Sequence, residues 1–74
     1  MSYYFTKQLR ESVGKKIRKA RRNKGLKQVD VAVEAGMSPS YYGKIERGIV
    51  NPSLEKLHKI IKTLGVKSSD ILPF

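Results

Sequence analysis

No cysteine occurs anywhere in the 74 residues of this chain. Disulfide staples and thiolate metal sites are therefore excluded, and nothing in the sequence calls for an oxidising compartment. Long apolar runs are missing too. Nothing approaches the roughly 18–20 consecutive apolar residues that a membrane-spanning helix needs, and no apolar stretch of about 7–15 residues follows a basic start, as a secretory leader would require. The expectation is a soluble, cytoplasmic chain with no membrane partner. Strand signals are also lacking, because there is neither sustained period-two alternation nor an Asn-Gly or Asp-Gly hairpin turn. The chain therefore points to an all-α fold. At this length one domain spanning 1–74, with a single modest core, is expected.

Catalytic and metal chemistry find little to work with. The one histidine, His58, has no cysteine and no second histidine with which to share a metal. Serine and aspartate occur, yet no nucleophile motif surrounds any of them. No catalytic residue, metal ligand or cofactor is expected, and the chain is not read as an enzyme. Acidic residues are scarce as well: six Asp+Glu stand against sixteen Lys+Arg, which gives a net charge of +10. Such a field draws polyanions, whether nucleic acid, an anionic membrane surface or an acidic protein.

Glycine and proline divide the chain into about five helical segments. Over 6–23, Leu9, Val13, Ile17 and Ala20 recur at helical spacing, and Gly25 supplies the stop. The segment QVDVAVEA (28–35) is short and ends at Gly36. Ser38 is a good N-cap with Pro39 at the first helical position, so a helix runs from there to Arg47 and stops at Gly48. After Asn51 and Pro52 another begins near Ser53, with Leu54, Leu57, Ile61 and Leu64 as its apolar stripe and Gly65 at its end. A last turn over 68–72 precedes Pro73.

The two middle segments, joined by three or four residues around Gly36, have the spacing of a helix-turn-helix over about 28–47. Ala32 is small where the two helices cross, and Gly36 gives the left-handed backbone that the tight turn needs. Val31, Met37 and Ile45 face inward. The second helix then presents its N-terminal turn outward, where it can enter a DNA major groove.

The segments VGKKIRKARRNKGLKQ, VAVEAGMS, IERG, NPSLEKL and LGVKSSDIL, in this order and spacing, resemble the lambda-repressor/Cro-like helix-turn-helix family over roughly residues 13–72. The run YYGKIERGIVNPSLEKL looks most like the small controller proteins of restriction–modification systems. The resemblance implies a compact five-helix DNA-binding domain. By that resemblance Ser38, Pro39, Ser40 and Lys44 hold base-reading positions, with the lysine suited to guanine O6 and N7. Lys27, Gln28, Tyr41, Arg47 and Asn51 fall where the family meets the DNA backbone. Arg21 and Glu46 match a structural ion pair between the first and third helices. Charge gives the same answer for Glu46: it is the only carboxylate of its segment, and phosphate would repel it unless it turned inward onto a cation.

Several residues depart from the family pattern. Pro39 stands where a polar reader is usual, and is left to touch a thymine methyl or simply to start the helix. Gly43 leaves a bare spot, at about 1 kcal/mol of helix propensity relative to alanine, and is expected to let DNA approach the backbone. Tyr42 takes an aliphatic, inward position; its ring is expected to be partly buried with the hydroxyl at an edge. Lys27 replaces a Ser/Thr cap, partly offset by Asp30 through the helix dipole. Arg10, Lys15 and Lys16 are expected near the DNA backbone, and Lys19 and Arg22 toward water.

One small domain reads few bases, so two copies on half-sites about one helical turn, roughly 34 Å, apart are expected. Ile60, Val66, Ile71, Leu72 and Phe74 exceed what one small core is expected to absorb and are assigned to a homodimer interface. Tyr3, Tyr4 and Phe5 lie outside the motif and are expected to pack across the first helix or the dimer seam. The sum is a dimeric transcriptional regulator that binds double-stranded DNA at a palindromic operator through the major groove. It is expected to be nucleoid-associated when bound and to need no small-molecule effector. Two other readings stay open: an antitoxin-like or other protein-interaction subunit, and a charge-driven, nonspecific nucleic-acid binder.

Overall fold

The computed structural model describes residues 5–73, so Tyr3, Tyr4 and Phe74 lie outside the described residues. Five helices follow in order: α1 Lys7–Asn23, α2 Gln28–Glu34, α3 Pro39–Arg47, α4 Leu54–Leu64 and α5 Ser68–Ile71. No strand occurs among the described residues, and no helix there is long and apolar enough to cross a membrane.

Local chemistry sets most of these boundaries. Side-chain oxygens of Thr6, Ser38 and Ser53 accept the N–H of Leu9, Tyr41 and Lys56 at 3.1–3.2 Å, satisfying donors that the helices themselves leave bare. Helices α2 and α5 lack such a residue, since lysine precedes each. There the exchange runs in the other direction: the Lys27 and Lys67 N–H groups donate to Asp30 and Asp70 carboxylates at 2.9 and 3.1 Å. That bond supplies half of a capping box without a Ser or Thr.

Helix α1 packs principally against α3, α2 lies on α3 and α4, and α5 closes the far side on α1 and α4. Val13, Ile17, Val31, Tyr42, Ile45, Leu57 and Leu64 form the centre of the shared core, and Phe5 and Met37 pack partly against it. The α1–α3 crossing is close enough to forbid side chains. A Cβ on Gly14 would overlap the Glu46 carbonyl oxygen and stand 2.6 Å from that of Ile45. Gly48, at φ +74°, ends α3 in the left-handed region, and a Cβ there would stand 2.8–2.9 Å from the Glu11 backbone.

Three expectations need correction. Ile60, Ile71 and Leu72, assigned to a dimer seam, are 0, 1 and 9 % exposed within the single chain. Helix α5 folds back as the core's lid, so this apolar surplus is consumed internally, and Val66 too packs partly against the core. Leu54, read as part of the α4 stripe, is 71 % exposed. It has the right azimuth but opens the helix, one turn beyond the reach of the core. The Tyr42 ring is fully buried rather than partly so.

The two helical glycines with the least room around them have opposite consequences for stability. Gly14→Ala meets immovable backbone and is expected to lower the unfolding free energy by about 2–3 kcal/mol. At Gly43 the nearest obstacle is the Arg47 Nη1 tip at 3.3 Å, the far end of a flexible, exposed side chain. Gly43→Ala is therefore expected to raise stability by up to about 1 kcal/mol through helix propensity. Urea titrations of both variants measure the difference, and a silent Gly14→Ala would mean that α1 and α3 do not touch as described.

Candidate nucleic-acid interface

Helix α3 has two chemically opposite sides. Tyr42, Ile45 and Glu46 point into the protein, while Ser40, Lys44 and Arg47, spaced i, i+4, i+7, form an exposed row. Ser38 and Pro39 are exposed at its start, Ser38 as N-cap and Pro39 in the first turn. All four residues expected to read bases are therefore exposed, three at the start of α3 and Lys44 in its last turn.

Glu46 organises the buried side. Its Oε2 accepts Arg21 Nε at 2.6 Å, and its Oε1 accepts both Arg21 Nη2 at 3.1 Å and Gln28 Nε2 at 2.9 Å. Arg21 spends its remaining nitrogen, Nη1, on the Leu26 carbonyl at 2.8 Å. One carboxylate thus joins α1, α2 and α3, and one guanidinium fixes the α1–α2 loop. Burial by itself would raise the Glu46 pKa. Only together do the hydrogen bond from Arg21, that from Gln28, the neighbouring Tyr42 hydroxyl and the Arg21 charge outweigh it, and the group is held below the ordinary carboxylate range. The bond to Glu46 correspondingly raises Arg21. Tyr42 ends beside this pair with its hydroxyl buried and short of a well-formed hydrogen bond. Burial first, and the Glu46 carboxylate second, push its pKa well above the ordinary phenol value.

The residues expected at the DNA backbone divide into bound and unbound groups. Lys27 and Arg47 are exposed. Gln28 is half-buried, and its amide nitrogen is committed to Glu46. Tyr41 is half-buried, with Lys56 Nζ 5.1 Å from its ring centroid. Asn51 is exposed, and its Oδ1 accepts the Phe5 N–H at 3.0 Å.

Three further points differ from the sequence reading. The space above Gly43 is not open to DNA, because Arg47 Nη1 and the Gln28 amide fill it at 3.3–3.9 Å from a Cβ position. Arg10 does not reach outward: its Nε and Nη1 donate to the Gly48 and Phe5 carbonyls at 3.1 and 3.0 Å. Lys16 is shared between two surfaces, one beside Lys15 and the other a groove on the α5 flank that it lines with Lys19 and Lys24. Lys15, one of the three cations expected near the DNA backbone, joins Arg18 and Arg47 around a cleft of about 600 Å³ between α1 and the end of α3, which Glu11 also lines. Arg18 was not singled out in the sequence. Its i, i+3 spacing from Lys15 on a helix was the available signal.

The helix-turn-helix family profile matches residues 17–71. The chain is similar to control protein C.BamHI of Bacillus amyloliquefaciens, 39 % identical over 70 residues, which are 93 % of this chain and 86 % of that protein. It is also similar to the HTH-type transcriptional regulator SlrR of Bacillus subtilis, 43 % identical over 60 residues, where it spans 80 % of its own length but 40 % of SlrR. The restriction-modification controller protein C.AhdI of Aeromonas hydrophila superposes with a TM-score of 0.83 at 31 % identity, over 90 % of this chain and the whole of that one. The chain belongs to the lambda-repressor/Cro-like helix-turn-helix family, a family of DNA-binding transcription regulators.

Breaking the central pair tests how far the interface depends on it. Glu46→Gln leaves the Arg21 guanidinium buried without its counter-charge and is expected to cost about 3 kcal/mol or more. Because the folded-state pKa of Glu46 lies below its unfolded value, its stabilisation is present above about pH 4.3 and fades as pH falls further. Urea midpoints between pH 6 and 3 should show that acid limb in the wild type and less of it in Glu46→Gln. Tyr42→Phe removes an unpaired hydroxyl and is expected to change stability by less than about 1 kcal/mol; a large loss would show that this hydroxyl bonds after all.

Proposed function

We propose that this chain is an operator-specific transcriptional regulator that binds palindromic double-stranded DNA as a homodimer. The observation that carries the reading is the two-sidedness of α3. Its serine and cationic side chains form one exposed row, while its only carboxylate is 5 % exposed and paired inward. A helix so arranged presents donors and positive charge without a repelling group. Ser40 and Lys44 are the conventional base readers, Lys44 toward guanine. Pro39 contributes apolar contact. Lys15, Arg18 and Arg47 hold backbone phosphate from the cleft beside α3, and Gln28, Lys27, Tyr41 and Asn51 flank it.

Homodimerisation is supported by the small reach of one nine-residue helix and by similarity to controller proteins over nearly their full lengths. With Ile60, Ile71 and Leu72 inside the core, the exposed apolar side chains among the described residues are Val29 and Val33 on α2, Ile49 in the α3–α4 loop and Leu54 at the start of α4, and pairing draws on these.

Selection of bound duplexes from a random pool tests the reading. The expected winner is a palindrome with half-sites about one turn apart, bound at least about 10³-fold better than scrambled DNA near 150 mM salt. With roughly four to five phosphates neutralised per subunit, the log–log salt slope should fall near −7 to −9. Lys44→Ala should relax preference at one base pair by about 1–3 kcal/mol. Equal affinity for every duplex would replace this reading with a charge-driven binder.

A further inference from the structure

Three hydrogen bonds tie the start of the chain to the loop that joins α3 to α4. Arg10 Nε donates to the carbonyl of Gly48, where that loop begins, and Arg10 Nη1 donates to the carbonyl of Phe5. The Phe5 N–H in turn donates to Oδ1 of Asn51, near the other end of the loop. The Gly48 turn rests against the Glu11 backbone. One half-buried guanidinium and one peptide group therefore hold both ends of a four-residue stretch, 48–51, that lies directly after the proposed reading helix.

The chemistry of an amide side chain gives this strap a consequence. Asn51 has an acceptor oxygen and a donor nitrogen, and only the oxygen can receive a peptide N–H. With Oδ1 engaged, Nδ2 is left as the outward-facing polar function. An amide rotated the other way would offer oxygen to a phosphate oxygen and repel it. We infer that Arg10 and Phe5 form a positioning strap for DNA binding, fixing the 48–51 loop and orienting Asn51 to donate to backbone phosphate. Arg10 acts through Asn51 and touches no phosphate itself. The inference rests on the reading of Asn51 as a DNA-backbone contact.

The test uses the full chain and the duplex selected above, with Arg10→Lys, Arg10→Gln, Asn51→Ala and Arg10→Gln/Asn51→Ala. Lysine keeps the charge but lacks the planar fork that serves two carbonyls at once. Each single variant is expected to weaken binding about five- to tenfold, the loss of roughly one hydrogen bond. Arg10→Lys should be no better than Arg10→Gln, the salt slope should stay unchanged, and the double variant should bind no worse than Asn51→Ala. Wild-type affinity in Arg10→Lys would overturn the strap in favour of charge alone. A slope reduced by about one in Arg10→Gln would show a direct phosphate contact, and multiplying losses in the double variant would show independent roles. A DNA-free readout separates the strap from the binding reading. In Arg10→Lys the Asn51 side-chain amide resonances should shift and the Phe5 amide should exchange faster. If neither changes, the strap is absent whatever the DNA result; if both change but no duplex is ever selected, the strap stands and its role in DNA binding is overturned.

Discussion

The Glu46 carboxylate is the point at which α1, α2 and α3 are made to agree. Its two oxygens take three donors from two other helices, and the fork from Arg21 accepts only one rotation of α3 about its own axis. Removing both charges from water is costly, and pairing of this kind often gains little net stability over apolar packing. What the pair does gain is orientation. Setting Glu46 inward sets Ser40, Lys44 and Arg47 outward, because the helical period leaves no other choice. It also hides the one charge on α3 that phosphate would reject.

Close packing carries that orientation through the rest of the molecule. With no side chain at Gly14, α1 lies directly on the carbonyls at the end of α3, and Gly48 brings the next turn down onto Glu11. Backbone contact on both sides of the crossing fixes where the outer face of α1 stands relative to α3. That is why Lys15 and Arg18 border the same cleft as Arg47, while Lys16, next along the helix, is shared between the surface beside Lys15 and the groove on the α5 flank.

Boundaries were the most legible part of the fold, because they depend on chemistry local in sequence. Thr6, Ser38 and Ser53 cap their helices with their own side chains, and Gly25, Gly48 and Gly65 all take the left-handed conformation at helix ends. The helix-turn-helix spacing was legible for a related reason, since few residue types meet the demands of its turn; the charge pattern showed that Glu46 must turn inward onto a cation, and the family resemblance supplied Arg21 as that cation. What escaped the sequence was set by tertiary distance. Arg10 reads as one more cation on a basic helix until the Gly48 and Phe5 carbonyls are seen beside it. Gly43 reads as a gap until Arg47 folds over it. The apolar tail reads as surplus because counting side chains does not reveal that α5 can return to cover the end of the core.

The residues at the candidate interface follow a physical division of labour. Cations attract phosphate over a Debye length of about 8 Å and tolerate variable geometry, and those here, Lys15, Arg18, Lys44 and Arg47, extend from the surface without a hydrogen bond holding them. Neutral amides act only at contact and only in one orientation. The two candidate amides are both held but not alike: Asn51 is held through its oxygen by the Phe5 N–H, which leaves its nitrogen to donate, whereas Gln28 gives an N–H to Glu46. Entropy explains the arrangement. A mobile lysine or arginine loses little by remaining mobile until DNA arrives, since its attraction does not require alignment. An unrestrained amide would have to surrender its rotational freedom on binding for a bond worth about 1 kcal/mol, much the same size as that entropy cost. Prior hydrogen bonding moves that cost from the binding step to the folding step, and so allows an uncharged contact to add affinity that salt does not screen.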